Sequence, residues 1–520
     1  MKRKIAMLPV DARPVTRDLP VQLAAIGGWE VLVPERNELG FLKKPGNLDL
    51  LQNWLKEKSR EVDGIVVSID MLGYGGLVPS RVSVATVEEV RARLQVLKEL
   101  KRVNPELKIM GFSATMRLSN SYVNEEEKEY WNRYGKEIWQ FSYHSHRYLK
   151  TKDPVSKKLI EELRPKIPDT ILKDYKKTRE RNFSINRSLL DEAEAGLFNI
   201  LVFPQDDTAE YGYNIQEQEW LSEEVNKRNL HEKVFIYPGA DEVASTLVAR
   251  MVYDLEDVKK PIFHPFYSGQ KGALSNAMYE DRPIYESVKG QVYAFGSFTG
   301  ESPSEADLLL AVNVPGKKQG DLALQMDLAE VDTTDRNLGE WMLKVKHYLE
   351  KGKDVAVADL AYANGADPAL MPRLTDTGIF RHLSGYAGWN TAGNSLGTVI
   401  AHSAMIHLQK LNGFLLETDF QKRHLELLAL RFLDDYLYQS VTRQKVRDQV
   451  DESKLDEDEL LEIVQKQFME TAGETLNKLR LCNGYALRIR NITLPWNRTF
   501  EIALTIELEG NQAKFKEVVH

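Results

Sequence analysis

The chain is 520 residues long, 42 % hydrophobic and 28 % charged, with a formal net charge of −8 and a single cysteine, Cys482. That length exceeds one ordinary domain core, so two or more domains of ordinary globular composition are expected. The acidic balance argues against nucleic acid or an anionic membrane as the main partner, and one thiol excludes an internal disulfide framework and a multi-cysteine metal site, which fits a reducing compartment and a structural cysteine.

The chain opens Met-Lys-Arg-Lys, and the apolar stretch Ile5–Val10 is too short for a signal core or a membrane span. Lys4–Val10 reads as the first strand of a cytoplasmic protein. Further candidate strands are Glu30–Val33, Gly64–Asp70, Lys108–Ser113, Ile200–Pro204 and Val234–Tyr237, then Ile262–Phe266, Val292–Phe295, Leu308–Asn313, Val355–Leu360 and Gly385–Ala387. Between them, Leu48–Glu61, Thr86–Arg102, Gln216–Arg228, Glu242–Tyr253 and Leu338–Leu349 carry apolar residues at spacings of three and four, which predicts helices. This alternation is the mark of an α/β fold with a mainly parallel sheet. The stretch Asn120–Leu197 lacks strand runs and reads as a helical insertion.

A short internal repeat sets Asp11-Ala-Arg-Pro14, followed by a helix and Glu30–Val33, beside Asp281-Arg-Pro283, followed by a helix and Val292–Phe295. Asp before Pro is also ordinary helix-start chemistry. A duplication would give two doubly wound (Rossmann-like) domains, 1–258 and 259–415, with a ligand cleft at the strand C-termini. The competing arrangement is a distorted (β/α)8 barrel. From 416 to 520 the chain reads as a small α+β appendage, helical over Leu416–Leu479 and strand-like over Tyr485–Leu508 with a turn at Leu494–Arg498. Packing or homo-oligomer formation is its expected role, and no chemistry is visible in it.

In either architecture ligands bind beyond the strand C-termini, so the polar residues just after each apolar run are the candidates. They are Asp11 and Arg13, Asp70 with Tyr74, Arg81, Arg117, Asp206 and Asp207, Asp241 and Glu242, Asn313, Asp359, and the stretch holding Tyr386, Trp389, Asn390, Thr391 and Asn394. Each Asp alone would serve equally as a helix cap. The adjacent pair Asp206-Asp207 is the sharpest signal. Two neighbouring carboxylates repel, so one tends to keep its proton while the other stays ionised, which supplies a general acid beside an orienting anion. The competing reading is a favourable charge placement before the helix at Gln216.

Tyr237-Pro-Gly-Ala-Asp-Glu242 repeats the theme after the next strand, and clustered carboxylates of this kind could instead hold a hard cation. Zinc lacks ligand spacing: His144 and His146 sit two apart in the helical insertion, and His264 ends a strand. No Gly-x-Ser-x-Gly elbow follows a strand and Gly73–Gly76 is not a phosphate loop, so a serine nucleophile lacks support; the expectation carries no cofactor and no metal. Ser384–Gly397 spends Gly, Asn, Thr and Trp ahead of an apolar helical run from Thr398 to Leu408. An exposed Trp389 beside amide groups there suits a small polar ligand, although tight turns and a cap account for the glycines and Asn394.

Leu8–Pro14, Ser68–Arg81, Gln205–Asp207, Pro238–Glu242 and Gly388–Gly397 together resemble the bacterial proteins grouped as domain of unknown function 4127, over about residues 4–410. That resemblance implies a bacterial protein and names no activity. The Asp206-Asp207 dipeptide is more distantly similar to the acid and polarising carboxylate of β-N-acetylhexosaminidases, and the similarity is confined to that dipeptide. The resulting expectation is a hydrolase of a sugar or sugar-containing metabolite, with Asp206 and Asp207 as catalytic pair, Asp70 and Asp241 holding hydroxyls, Arg13, Arg81 and Arg117 neutralising an anionic substituent, and Trp389, Asn390 and Asn394 binding the ring. The alternatives are a two-domain small-ligand sensor and a metal-dependent hydrolase.

Overall fold

The computed structural model describes residues 3–413, 418–476 and 485–510, with Cys482 outside them. The chain forms two compact units. The first takes the described residues to Arg17, then Glu30–Met251 and Tyr279–Arg282; the second takes Asp18–Trp29, Val252–Met278 and the described residues from Pro283 onward.

In the first unit, β1 (Lys4–Leu8), β2 (Glu30–Leu32), β3 (Gly64–Ser68), β4 (Lys108–Phe112), β5 (Ile200–Gln205) and β6 (Val234–Pro238) form one parallel sheet in the order β2-β1-β3-β4-β5-β6. β3 and β5 are buried along their whole length. This is why they read as unbroken apolar runs, since helices cover both faces of a parallel sheet. The helix Val87–Val103 shows how the covering layer is specified: Thr86 and Glu89 close a capping box, and Val90, Leu97 and Leu100 face the sheet core. The order reverses between β1 and β3, so the C-terminal loops diverge there and leave room for a ligand.

The insertion between β4 and β5 is helical, as its composition predicts, with helices Trp131–Thr151, Pro154–Leu163 and Asp169–Glu194. Met116, Trp131, Ile138, Phe141 and Tyr175 give it a core of its own. Ile185, Leu189 and Leu190 of its last helix belong instead to the sheet core.

In the second unit, β7 (Phe263–Tyr267) and β8 (Leu308–Asn313) are followed by β9 (Gly320–Asp321), β10 (Asp354–Asp359), β11 (Tyr362–Ala363) and β12 (Gly385–Ala387). Their main sheet is parallel with the order β7-β8-β10-β12, and β9 pairs with β11. Val292–Phe295, expected as a strand, is the last turn of the helix Ile284–Phe295. Val288, Val292 and Phe295 fall on its buried side at spacings of four and three, and a four-residue apolar run looks the same in a buried helix as in a strand. The internal repeat therefore loses its second strand.

The helix after β12 runs from Ala392 to Leu411, six residues ahead of its expected start. Later helices continue through Thr418–Arg431 and a wide-turned π segment, Phe432–Thr442, and the chain ends in an antiparallel pair, β13 (Tyr485–Thr493) and β14 (Ala503–Gly510). Leu428, Phe432, Leu437, Val464, Phe468 and Ile492 share one core with Leu309, Trp341 and Val355. Among the described residues no helix is long and apolar enough to cross a membrane.

Candidate functional site

The first unit gathers charged side chains at the C-terminal ends of its strands. After β1, the Asp11 carboxylate accepts the Arg13 backbone N–H at 2.9 Å, its Nε at 3.0 Å and the Thr16 hydroxyl at 2.6 Å. Arg13 then reaches Asp241, which follows β6, with Nη2 donating to Oδ1 at 2.6 Å. Four strand spacings, roughly 19 Å in a flat sheet, separate β1 from β6. The loops after β1 and β6 together with the long Arg13 side chain bridge that span.

After β3, Ser68 caps a short helix and Asp70 is buried on its first turn, 3 % exposed, accepting the Ala114 N–H from the β4 loop at 2.9 Å. Burial pushes the Asp70 carboxyl up to about 7 against the opposing pull of Ala114 and Arg81. Gly75 and Gly76 turn the chain through φ of 86° and 139° into the helix Leu77–Val82. A Cβ on Gly75 would lie 2.7 Å from Pro45, so no other residue fits that corner without a shift. That turn delivers Arg81, whose Nη2 donates to Asp206 at 2.5 Å and Nη1 to Glu126 at 3.1 Å. Tyr74, on the preceding helix, is buried with the Arg181 guanidinium 4.8 Å above its ring.

Arg117 joins Glu127 at 2.8 Å, Glu126 at 3.2 Å and Asp207 at 3.2 Å. Asp207 itself stands at φ 33°, a left-handed conformation that costs an Asp of order 1 kcal/mol and persists only where the surroundings hold it. Its side chain is the most open carboxylate of the pair, 32 % exposed against 16 % for Asp206. Enclosure nevertheless pushes Asp207 up to about 7; Arg117 pulls it down and the Asp206 charge raises it further. Asp206 also raises Asp70 and Asp241, so these four carboxylates share one electrostatic neighbourhood. For Asp241 burial is the first cause and Arg13 the opposing one. Glu242 is buried beside it at the start of the helix Val243–Glu256.

The three guanidiniums expected to neutralise an anionic substituent are instead each held by carboxylates of the chain. Arg13, Arg81 and Arg117 face Asp11, Asp241, Asp206, Asp207, Glu126 and Glu127. Sequence reasoning missed Glu126 and Glu127, which fall in the stretch read only as a helical insertion; Glu127 is 3 % exposed.

The remaining predicted residues lie in the second unit. Asn313 donates to Asp359 at 2.8 Å and to Asp367 at 2.9 Å, and Arg336 donates to Asp367 at 2.6 Å. Tyr386 donates its hydroxyl to Asp359 at 2.9 Å, and Asp435 accepts the Gly388 N–H at 2.8 Å and Arg431 at 2.9 Å. Burial, reinforced by neighbouring carboxylates, pushes Asp359 and Asp435 up to about 7. Asn390 at φ 71° and Asn364 at φ 60° are joined backbone to backbone at 3.0 Å. Thr391 donates its N–H to the Asn390 side chain at 2.8 Å, and Asn394 lies in the first turn of the helix Ala392–Leu411.

Trp389, expected as an exposed aromatic, is 5 % exposed with its ring tilted on Phe500 at 5.9 Å. Some of the polar groups around it bond within the loop, as Ser395 does to the Trp389 carbonyl at 2.7 Å, while the Trp389 indole N–H and the Thr391 hydroxyl are buried without a hydrogen-bond partner among the described residues. Asp367, Arg336, Arg431, Asp434 and Asp435 were missed. The adjacent acids Asp434-Asp435 inside an apolar helical run were the available signal.

Among the described residues no group of three or more His, Cys, Asp or Glu is arranged to hold a metal ion. His144 bonds Ser156 at 3.1 Å, His264 bonds the Gly300 carbonyl at 3.0 Å, and His146 takes a third, separate environment.

The model of a family described as "Protein of unknown function (DUF4127)" matches residues 5–505. No curated protein and no solved structure matches the chain.

Proposed function

The chain belongs to the DUF4127 family, whose description assigns no activity, and we propose from its own residues that it is a hydrolase of a sugar or sugar-containing small metabolite. The observation that carries this reading is the Asp206-Asp207 pair. Asp207 is the accessible carboxyl and is pushed up to about 7, while Asp206 is clamped by Arg81 at 2.5 Å. A carboxyl that is half protonated near neutral pH can give its proton to a leaving oxygen, and a fixed anion beside it can orient the substrate and stabilise positive charge developing at the reacting carbon.

Asp70, Asp241 and Asp11 then supply acceptors for hydroxyl groups. Because each of the three arginines is already countered, the cluster suits a neutral, hydroxyl-rich or amino-bearing ring rather than a phosphorylated one. The test is a turnover screen of aryl glycosides and amino-sugar derivatives with calorimetric binding measured in parallel. Hydrolysis that disappears in Asp207→Asn supports the reading. Tight binding of a saccharide with no turnover by the wild type would replace it with a small-ligand sensor.

A further inference from the structure

The loop that carries Asp206 and Asp207 runs from the end of β5 to the helix Tyr213–Lys227 and is held at both ends. Near the carboxylates, Thr208 donates its N–H to the Tyr279 carbonyl at 2.8 Å, and Asn214 reaches the Asp207 carbonyl at 3.4 Å. At the far end, Tyr213 donates its N–H to the Ser142 hydroxyl at 2.8 Å, and Gly212 donates its N–H to Nδ1 of His146 at 3.2 Å. Ser142 and His146 are four apart on the helix Trp131–Thr151, so they lie on one face of it, and both are buried.

We propose that His146 is a positioning residue that clasps the Asp206-Asp207 loop, and that it does so only as a neutral imidazole. The argument is one of lone pairs. An Nδ1 that accepts from a backbone N–H carries no proton, so the proton sits on Nε2, which faces the Glu219 carboxylate at 3.3 Å. Protonation places the ring's second hydrogen on Nδ1, which until then carries none, and sets two donors against each other at 3.2 Å. The clasp then opens.

The charged and titratable groups facing the ring are Glu219 from the helix Tyr213–Lys227, Lys150 from its own helix, and Tyr211 of the loop, whose ring meets it edge-on at 5.7 Å. Lys150 holds the same Glu219 oxygen at 2.7 Å and so weakens the pull of that carboxylate on the imidazole. Burial holds His146 below its ordinary 6.5, with Glu219 opposing and Lys150 assisting. The loop is therefore clasped at neutral pH and released in acid.

The clasp stands on geometry alone; its consequence for turnover rests on the hydrolase reading. The experiment is hydrogen-exchange mass spectrometry of the full chain, resolved to residues 208–213 and corrected for intrinsic rates, at pH 7.5 and pH 4, well below the ordinary imidazole range. In the wild type the Gly212 amide should exchange about fivefold faster at the lower pH, the loss expected for one hydrogen bond. His146→Asn places a non-titrating acceptor near the position of Nδ1 and should stay protected at both pH values. His146→Phe should exchange fast at both. Equal pH dependence in the wild type and His146→Asn, or a wild type with no pH dependence, overturns the clasp; should His146→Phe not fold, the Asn variant alone decides. None of these readouts needs a substrate, so absence of turnover on every saccharide would sink the hydrolase reading and leave this result standing.

Discussion

Asp70→Asn should make the protein more stable by a margin that grows between about pH 4 and about pH 7 and is flat above that, and should be close to neutral in effect only below pH 3.8. The wild-type carboxyl is buried and titrates at about 7 instead of 3.8. At about 1.4 kcal/mol for each unit of pKa, the ionised form costs roughly 4 kcal/mol relative to the protonated one, an upper value because Arg81 and Asp206 readjust around it. Between those two pKa values the folded chain binds more protons than the unfolded chain. Stability from this group is thus fully present below pH 3.8 and is lost as pH rises through about 7. The Asn side chain keeps an oxygen for the Ala114 N–H and never ionises. Thermal unfolding of both proteins from pH 5 to 8, following the first transition because two compact units need not unfold together, should show a gain in Tm for the variant that grows with pH up to about 7. A difference that is constant across that range, or a loss at pH 8, would refute the burial argument for Asp70.

Asp207→Asn should lower kcat by roughly a hundredfold or more with KM changed only a few-fold, because an acid acts in the transition state; steady-state kinetics on any glycoside found to turn over checks it. In the wild type kcat/KM should fall about tenfold per pH unit above about 7, as Asp207 loses its proton. Activity should survive exhaustive treatment with EDTA, and loss restored by Mg²⁺ or Mn²⁺ would move the assignment to metal-dependent hydrolysis. Gly388→Ala should destabilise by about 2 kcal/mol in urea unfolding, since its Cβ would stand 2.7 Å from the Tyr386 hydroxyl that serves Asp359.

The strands were legible wherever burial on both faces leaves an unbroken apolar run, as in Gly64–Ser68 and Leu308–Asn313. Val292–Phe295 failed for the same reason in reverse, because a helix buried on one side can show four apolar residues in a row. Positions just past strand ends were legible from topology alone, and Asp11, Arg13, Asp70, Arg81, Arg117, Asp206, Asp207 and Asp241 do belong to one charged neighbourhood. What a sequence does not carry is pairing. Glu126 and Glu127 carry no site signal until Arg81 and Arg117 are placed against them, and with them those two guanidiniums, like Arg13 against Asp11 and Asp241, change from anion receptors into counter-ions for the chain's own acids. Trp389 shows the same limit from the other side, since Asn390, which helps make its loop look exposed, spends its side-chain oxygen on the Thr391 N–H at a φ of 71° that few other residues tolerate. Composition reports how many polar groups a loop has, and only the fold decides whether water, a ligand or the protein itself satisfies them.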